Sequence, residues 1–139
     1  QYFGRLSGPL LDRIDIHIEV TPVKYTELDS DKTVESSAAI RERVERTRKI
    51  QLERYRGMNI YSNSQLQPAM FSRFCRLDRK CRSILKDVFD RFGMSARAHS
   101  RILKVARTIA DMDMSEEIRP IHLAEAIQYR SLDRKTQKM

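Results

Sequence analysis

Glycine is scarce in this 139-residue chain: Gly4, Gly8, Gly57 and Gly93 are the only copies, and none precedes a Lys-Ser or Lys-Thr pair. A phosphate-cradling loop of the form G-x-x-x-x-G-K-[ST] is therefore absent. No apolar strand ends in paired carboxylates for magnesium, and no Ser/His/Asp set carries a local signature. The chain alone is not expected to be a catalyst. Cysteine occurs twice, at Cys75 and Cys81, with no histidine at zinc-finger spacing, which argues against a structural metal site. Both read as reduced thiols of a cytosolic protein, Cys81 on the apolar face of a helix. No stretch approaches the roughly 20 apolar residues of a membrane span. The first 13 residues lack the continuous apolar run of a secretion signal. The expected location is cytoplasmic, with no membrane partner.

What remains is a small, densely ionic chain of 16.4 kDa, 40% hydrophobic and 33% charged. That size fits one modest domain or part of a larger one. Lys plus Arg number 27 and Asp plus Glu 19, a net charge of +8. The excess is local. Between Arg73 and Arg107 stand eleven basic residues against Asp78, Asp87 and Asp90, while the remainder balances at sixteen of each sign. Such an island suits a polyanion, either nucleotide phosphates or a nucleic-acid backbone. A solvated helical face explains the same composition.

Residues 14–20 alternate strictly, with Ile14, Ile16, Ile18 and Val20 on one side and Asp15, His17 and Glu19 on the other. This pattern predicts a strand with one buried face. No second convincing strand exists in the sequence, so the strand is an orphan of an α/β core that begins before this chain. Alone, it should be poorly ordered or pair with a second copy of itself. Residues 21–37, with Pro22 and four acids, read as a linker. Residues 37–56 predict a charged helix with a sparse inner stripe of Ile40, Val44, Thr47 and Gln51, ended by Gly57. The stretch 58–67 is polar and irregular, and a short helix is expected around 68–74.

Asp78 caps a helix whose apolar positions Cys81, Ile84, Leu85, Val88, Phe89 and Phe92 keep helical spacing, and Gly93 closes it. Ser95 caps the next, with Ala98, Ile102, Val105, Ala106 and Ile109 inward and Arg97, Arg101 and Lys104 on a separate stripe. Pro120 opens a last helix carrying Ile121, Ala124 and Ile127. The tail from Ser131 is polar. His17, His99 and His122 complete no site and read as structural, and Tyr55, Tyr61 and Phe71 as core or turn packing.

Several blocks carry a resemblance. Gly4-Arg5-Leu6-Ser7-Gly8-Pro9-Leu10-Leu11-Asp12-Arg13-Ile14-Asp15-Ile16, Ser95-Ala96-Arg97-Ala98 and residues 102–111 closely resemble the magnesium-chelatase-like AAA+ ATPases, as does the ending 124–130. Within that family the chain looks most like the competence-protein (ComM) branch. The resemblance implies a mainly α fold: a helical AAA+ lid and C-terminal bundle over residues 38–139. A linker at 21–37 and the end of the ATPase core at 1–20 precede it.

By spacing alone Arg13 is an ordinary surface arginine at a strand start. The resemblance makes it the candidate arginine finger, reaching the ATP of a neighbouring subunit, where a fixed guanidinium stabilises charge spread over the transferred phosphoryl group. Arg97 matches the sensor-2 position, where a lid arginine contacts the nucleotide of its own subunit. Its place in a helix's first turn favours an anion beside it. Arg101 extends the same stripe toward nucleotide, and Lys104 reads as a solvated side chain. The full-length protein is then expected to use ATP and Mg2+, to form a homo-oligomeric hexameric ring and to act on DNA as a branch-migration motor. No cofactor is expected in this chain alone. Two alternatives stay open: an ATPase driving magnesium insertion into a porphyrin, and a free-standing basic nucleic-acid-binding helical module.

Overall fold

A computed structural model describes residues 13–22 and 34–130. The block at 4–12, most of the linker at 23–33 and the tail from Ser131 lie outside the described residues. Helix α1 spans Ser37–Arg54, α2 Phe71–Phe74, α3 Arg79–Phe92, α4 Ala96–Met112 and α5 Pro120–Gln128, with short 3-10 turns at Asn63–Gln65 and Pro68–Met70. The mainly α fold read from the sequence is the one observed. The short helix expected at 68–74 is a 3-10 turn running into α2.

The helix ends lie where local chemistry puts them. Ser36 Oγ accepts the Ala39 N–H at 3.2 Å, Asp78 Oδ1 the Cys81 N–H at 2.6 Å, and Ser95 Oγ the Ala98 N–H at 3.1 Å, each satisfying an amide that the helix cannot. Gly93 ends α3 in the left-handed conformation at φ 53°. Pro120 opens α5, where His122 Nδ1 accepts the Arg119 N–H at 3.1 Å. On the other side of the ring, Nε2 lies 3.0 Å from Asp113 Oδ2, a hydrogen bond that holds the Asp113 carboxyl below its ordinary range with help from Arg119.

Helix α4 is central, packing on α5, on α1 and on the Asn63–Gln65 turn, while α3 packs on α5. Its inner face uses Ala98, Ile102, Ala106 and Ala110, and the small residues let α5 approach with Leu123, Ala126 and Ile127. From the other side come Cys81 and Leu85 of α3 and Tyr55, Leu66, Phe71 and Cys75. A parallel bridge between Leu77 and Ile118 ties the segments before α3 and α5. Burial raises both thiols, Cys75 to about 11 and Cys81, with the Asp78 carboxylate adding to it, also to about 11. Both cysteines are buried core residues.

Two expectations need correction. Ile40 and Val44 of α1 are 42% and 44% exposed, and the buried residues of that helix are the polar Thr47 and Gln51. Hydrogen bonding, not apolar contact, attaches α1. Residues 14–20 are extended but join no ladder among the described residues, and the expected apolar face is not buried: Ile16 is 45% exposed and Ile18 68%, while His17, at 6%, is the one buried residue of the segment. With no neighbouring strand to bond, the backbone takes partners from the chain's own helical bundle. Tyr61, at 63%, is also outside the core, unlike Tyr55 and Phe71.

The end of α4 carries an unusual cap. Met114 sits at φ 55°, its N–H reaches the Asp111 carbonyl at 3.1 Å, and the Ser115 N–H reaches the Ala110 carbonyl at 2.8 Å. This is the double bond pattern of a Schellman cap with methionine where glycine is usual. A side chain in that backbone region costs about 1 kcal/mol or more. Met114→Gly is expected to raise stability by about 0.5–1 kcal/mol, allowing for glycine's larger unfolded-state entropy. Equal or lower denaturant midpoints for the variant would contradict this.

Candidate nucleotide-facing site

The site residues read from the sequence fall on two elements that the structure joins. Arg13 is exposed at the start of the segment 13–22. Just beyond it, three contacts pin the chain to the bundle. Asp15 pairs with the guanidinium of Arg101 on α4. The buried Arg130 donates from Nη1 to the Ile14 carbonyl, and the His17 N–H donates to the Tyr129 carbonyl at 2.8 Å. An ion pair this exposed, 25% for Arg101 and 51% for Asp15, contributes only about 0.2–1 kcal/mol. It therefore acts beside the backbone bonds rather than in place of them.

The stripe Arg97, Arg101 and Lys104 is real in position but not uniform in chemistry. Arg97 is exposed in the first turn of α4, two residues after the Ser95 cap. Arg101, one turn on, meets Asp15. Lys104 donates from Nζ to the Ser64 carbonyl at 2.7 Å, and burial together with the nearby Arg101 charge lowers its pKa. Of the three, Arg97 is the most open to solvent.

Sequence reasoning missed the strongest electrostatic feature. Asp111, 1% exposed, accepts from Arg54 at both carboxylate oxygens, the Nη1–Oδ2 bond measuring 2.7 Å. Arg107 Nε adds a bond at 3.1 Å and Asn63 Nδ2 one at 2.8 Å. Arg107, counted in the basic island, is 3% exposed and also donates to the Glu116 and Ser115 carbonyls at 2.8 and 2.6 Å. Asn63 in turn accepts the Tyr55 hydroxyl at 2.6 Å and gives its backbone N–H to Gln51 at 3.1 Å. The available signal was the Arg107 and Asp111 spacing of four on the inner side of α4.

Among the described residues, no group of three or more His, Cys, Asp or Glu side chains could hold a metal ion, and no helix is long and apolar enough to cross a membrane.

The family model described as magnesium chelatase, subunit ChlI C-terminal, matches residues 34–130, from the residues before α1 to the end of the bundle. The chain belongs to this family. A second model, magnesium chelatase, subunit ChlI, matches residues 1–28, the stretch that contains Arg13 and Asp15. The competence protein ComM of Haemophilus influenzae is 42% identical over 140 residues, covering 100% of this chain and 27% of that protein. The uncharacterized protein YifB of Escherichia coli is 40% identical over 96% of this chain and 26% of its own length, and its namesake in Salmonella typhimurium 37% over the same shares. The chain thus spans about a quarter of the length of the curated relatives it matches. Both the family and the ComM branch read from the sequence motifs stand.

Asp111 is expected to hold this architecture together. Asp111→Ala would strand the buried Arg107 charge and release Arg54, a loss of about 3–5 kcal/mol for a broken buried pair. Chemical denaturation of the variant should show it, and a loss below about 1 kcal/mol, within the range of exposed pairs, would contradict the assignment.

Proposed function

We propose that this magnesium-chelatase-family chain is the lid and C-terminal part of an oligomeric AAA+ ATPase that hydrolyses ATP with Mg2+ and works on DNA as a branch-migration motor. Arg13 serves as the finger for the nucleotide of the neighbouring subunit in a homo-oligomeric ring, taken as a hexamer. Arg97 contacts the nucleotide of its own subunit from the first turn of α4. The observation that carries this reading is the family match that spans both arginines, which are exposed while Asp15 and Arg101 beside them are engaged with each other. Exposure leaves each guanidinium able to meet phosphate oxygens supplied from outside this chain.

The DNA role draws on the likeness to a protein named competence protein ComM and on the exposed cations Arg73, Arg76, Arg79, Lys80, Arg82 and Lys86. The second reading, an ATPase that drives magnesium into a porphyrin, draws on the name of the family model. DNA affinity of the intact protein separates the two. A motor that neutralises several phosphates loses affinity steeply with salt, with a slope of about 0.9 per phosphate contact. A free-standing nucleic-acid-binding module would bind DNA with no ATP turnover in the intact protein.

These 139 residues alone should show no ATP turnover, because the sequence has no loop to hold the β and γ phosphates; hydrolysis above a buffer blank would refute this. In the intact protein, Arg13→Ala should keep nucleotide binding and lower hydrolysis by on the order of a thousandfold, the scale of a lost transition-state arginine. Arg97→Ala should weaken nucleotide retention as well, since its contact exists before the reaction. Mixing Arg13→Ala subunits with subunits unable to bind ATP should restore activity where an intact finger faces a loaded neighbour. The Arg97→Ala lesion stays with its own nucleotide. Rescue of neither, or of both equally in assembled rings, would overturn the trans and cis assignment.

A further inference from the structure

The first turn of α3 holds Arg79, Lys80 and Arg82 and no acidic residue. Cations there face the positive end of the helix's own dipole, so the placement costs the fold stability rather than adding to it. The Asp78 carboxylate beside them already accepts the Cys81 N–H. With Arg73, Arg76 and Lys86 they make six exposed cations, and none of the six enters an ion pair among the described residues. Asp90, four residues after Lys86 and bordering the same cleft, does not pair with it.

The cations are also gathered in space. Three adjoining clefts meet at Leu77 and Arg82, and Arg73, Arg76 and Lys86 line them as well. Glu116 and Glu117 border the cleft at the Arg73 end and Asp90 the one at the Lys86 end, which bounds the surface on both sides. Arg82 is fastened by its Nε bond to the Leu77 carbonyl at 3.0 Å, and the Arg73 guanidinium rests over the Phe74 ring at 4.9 Å. Arginines positioned in this way lose less side-chain freedom when they bind an anion. On α3, Arg79, Arg82 and Lys86 recur at three and four residues, a stripe about 10 Å long over which a DNA duplex presents about six phosphate charges.

We propose that this surface, centred on Arg82, holds the phosphate backbone of a DNA duplex and reads no bases. The inference rests on the DNA part of the reading above and assigns that contact to α3 and the segment before it. Duplex rather than single strand follows from the aromatic residues. Single-strand surfaces combine cations with exposed rings on which bases stack. Here Phe71 is buried in the core, Phe74 and Phe89 pack against it, and the exposed Tyr61 lines a different cleft between α1 and α4. Guanidinium and ammonium contacts to phosphate alone fix position without carrying sequence.

The test measures binding of the intact parent protein to two duplexes of unrelated sequence, and to a single strand of equal length, from about 50 to about 200 mM salt. The variants are Arg76→Gln, Arg79→Gln, Lys86→Gln and the triple, with Arg41→Gln on the exposed side of α1 as control. Each single variant should lower the salt slope on both duplexes by about 0.9 for every subunit that touches DNA, and the triple by about three times as much. Arg79→Gln should do so while its denaturation midpoint stays level or rises, since a charge opposed to the helix dipole is gone. A merely structural role would lower both together. Arg41→Gln should leave the slope as it is. Unchanged slopes in the triple variant, a loss confined to one duplex sequence or to the single strand, or an equal loss in the control would overturn the proposal. Rings that come apart in the triple variant, seen by light scattering, would assign the surface to a subunit contact and overturn it too. A wild-type protein that binds no duplex would defeat the DNA reading and this surface with it, whereas unchanged slopes beside firm wild-type binding defeat the surface alone.

Discussion

The carboxylate of Asp111 is the point on which the attachment of the long N-terminal helix depends. It is buried on α4, yet its partners come from three directions: Arg54 at the end of α1, Asn63 in the turn that follows, and Arg107 one turn earlier on α4 itself. A buried carboxylate facing two guanidiniums is tolerable only when nearly every lone pair is used, and here the network supplies those bonds. Because the inner positions of α1 are Thr47 and Gln51, hydrophobic burial contributes little to holding it. The register of α1 on the bundle is set by directional bonds, which accept far fewer arrangements than an oily face does.

Much of the bundle was legible because it is built by short-range rules. Asp78, Ser95, Gly93 and Pro120 mark helix ends through bonds or dihedrals local to a few residues, and the spacing of Cys81, Leu85, Ile102 and Ala106 reports a face directly. What could not be read depends on partners far away in sequence. Ile40 and Val44 look like an inner stripe because apolar residues at helical spacing usually are one, but the competing network at the C-terminal half of α1 rotates other residues inward. The alternation at 14–20 is a strand signal, and among the described residues there is no ladder for it to join. Its backbone bonds to Tyr129 and Arg130 instead, which turns His17 inward and leaves the isoleucines partly exposed.

The candidate site was legible to the extent that it lies in contiguous blocks. Arg13 and Arg97 sit in the motifs that carry the family resemblance, and the family matches cover both. The link between them was not visible, because Asp15 and Arg101 are separated by most of the chain and neither has unusual spacing. Counting the basic residues between Arg73 and Arg107 treated them as one charge cloud. The fold sorts them into different jobs.

That sorting follows from what each guanidinium or ammonium finds within reach. Arg107 faces a buried carboxylate and two carbonyls, so its charge is consumed inside the protein and contributes little to any external field. Arg101 and Lys104 are half-buried and bound to Asp15 and Ser64, so they shape the molecule more than they attract ligands. Arg97 and the cations of residues 73–86 are exposed, with Arg82 also donating from Nε to the Leu77 carbonyl at 3.0 Å, and long-range attraction to a polyanion operates there. A basic composition thus measures the capacity for anion binding only after the internal partners have been subtracted. Between Arg73 and Arg107 the subtraction leaves an exposed arginine at the α4 N-terminus and a separate basic surface before and along α3.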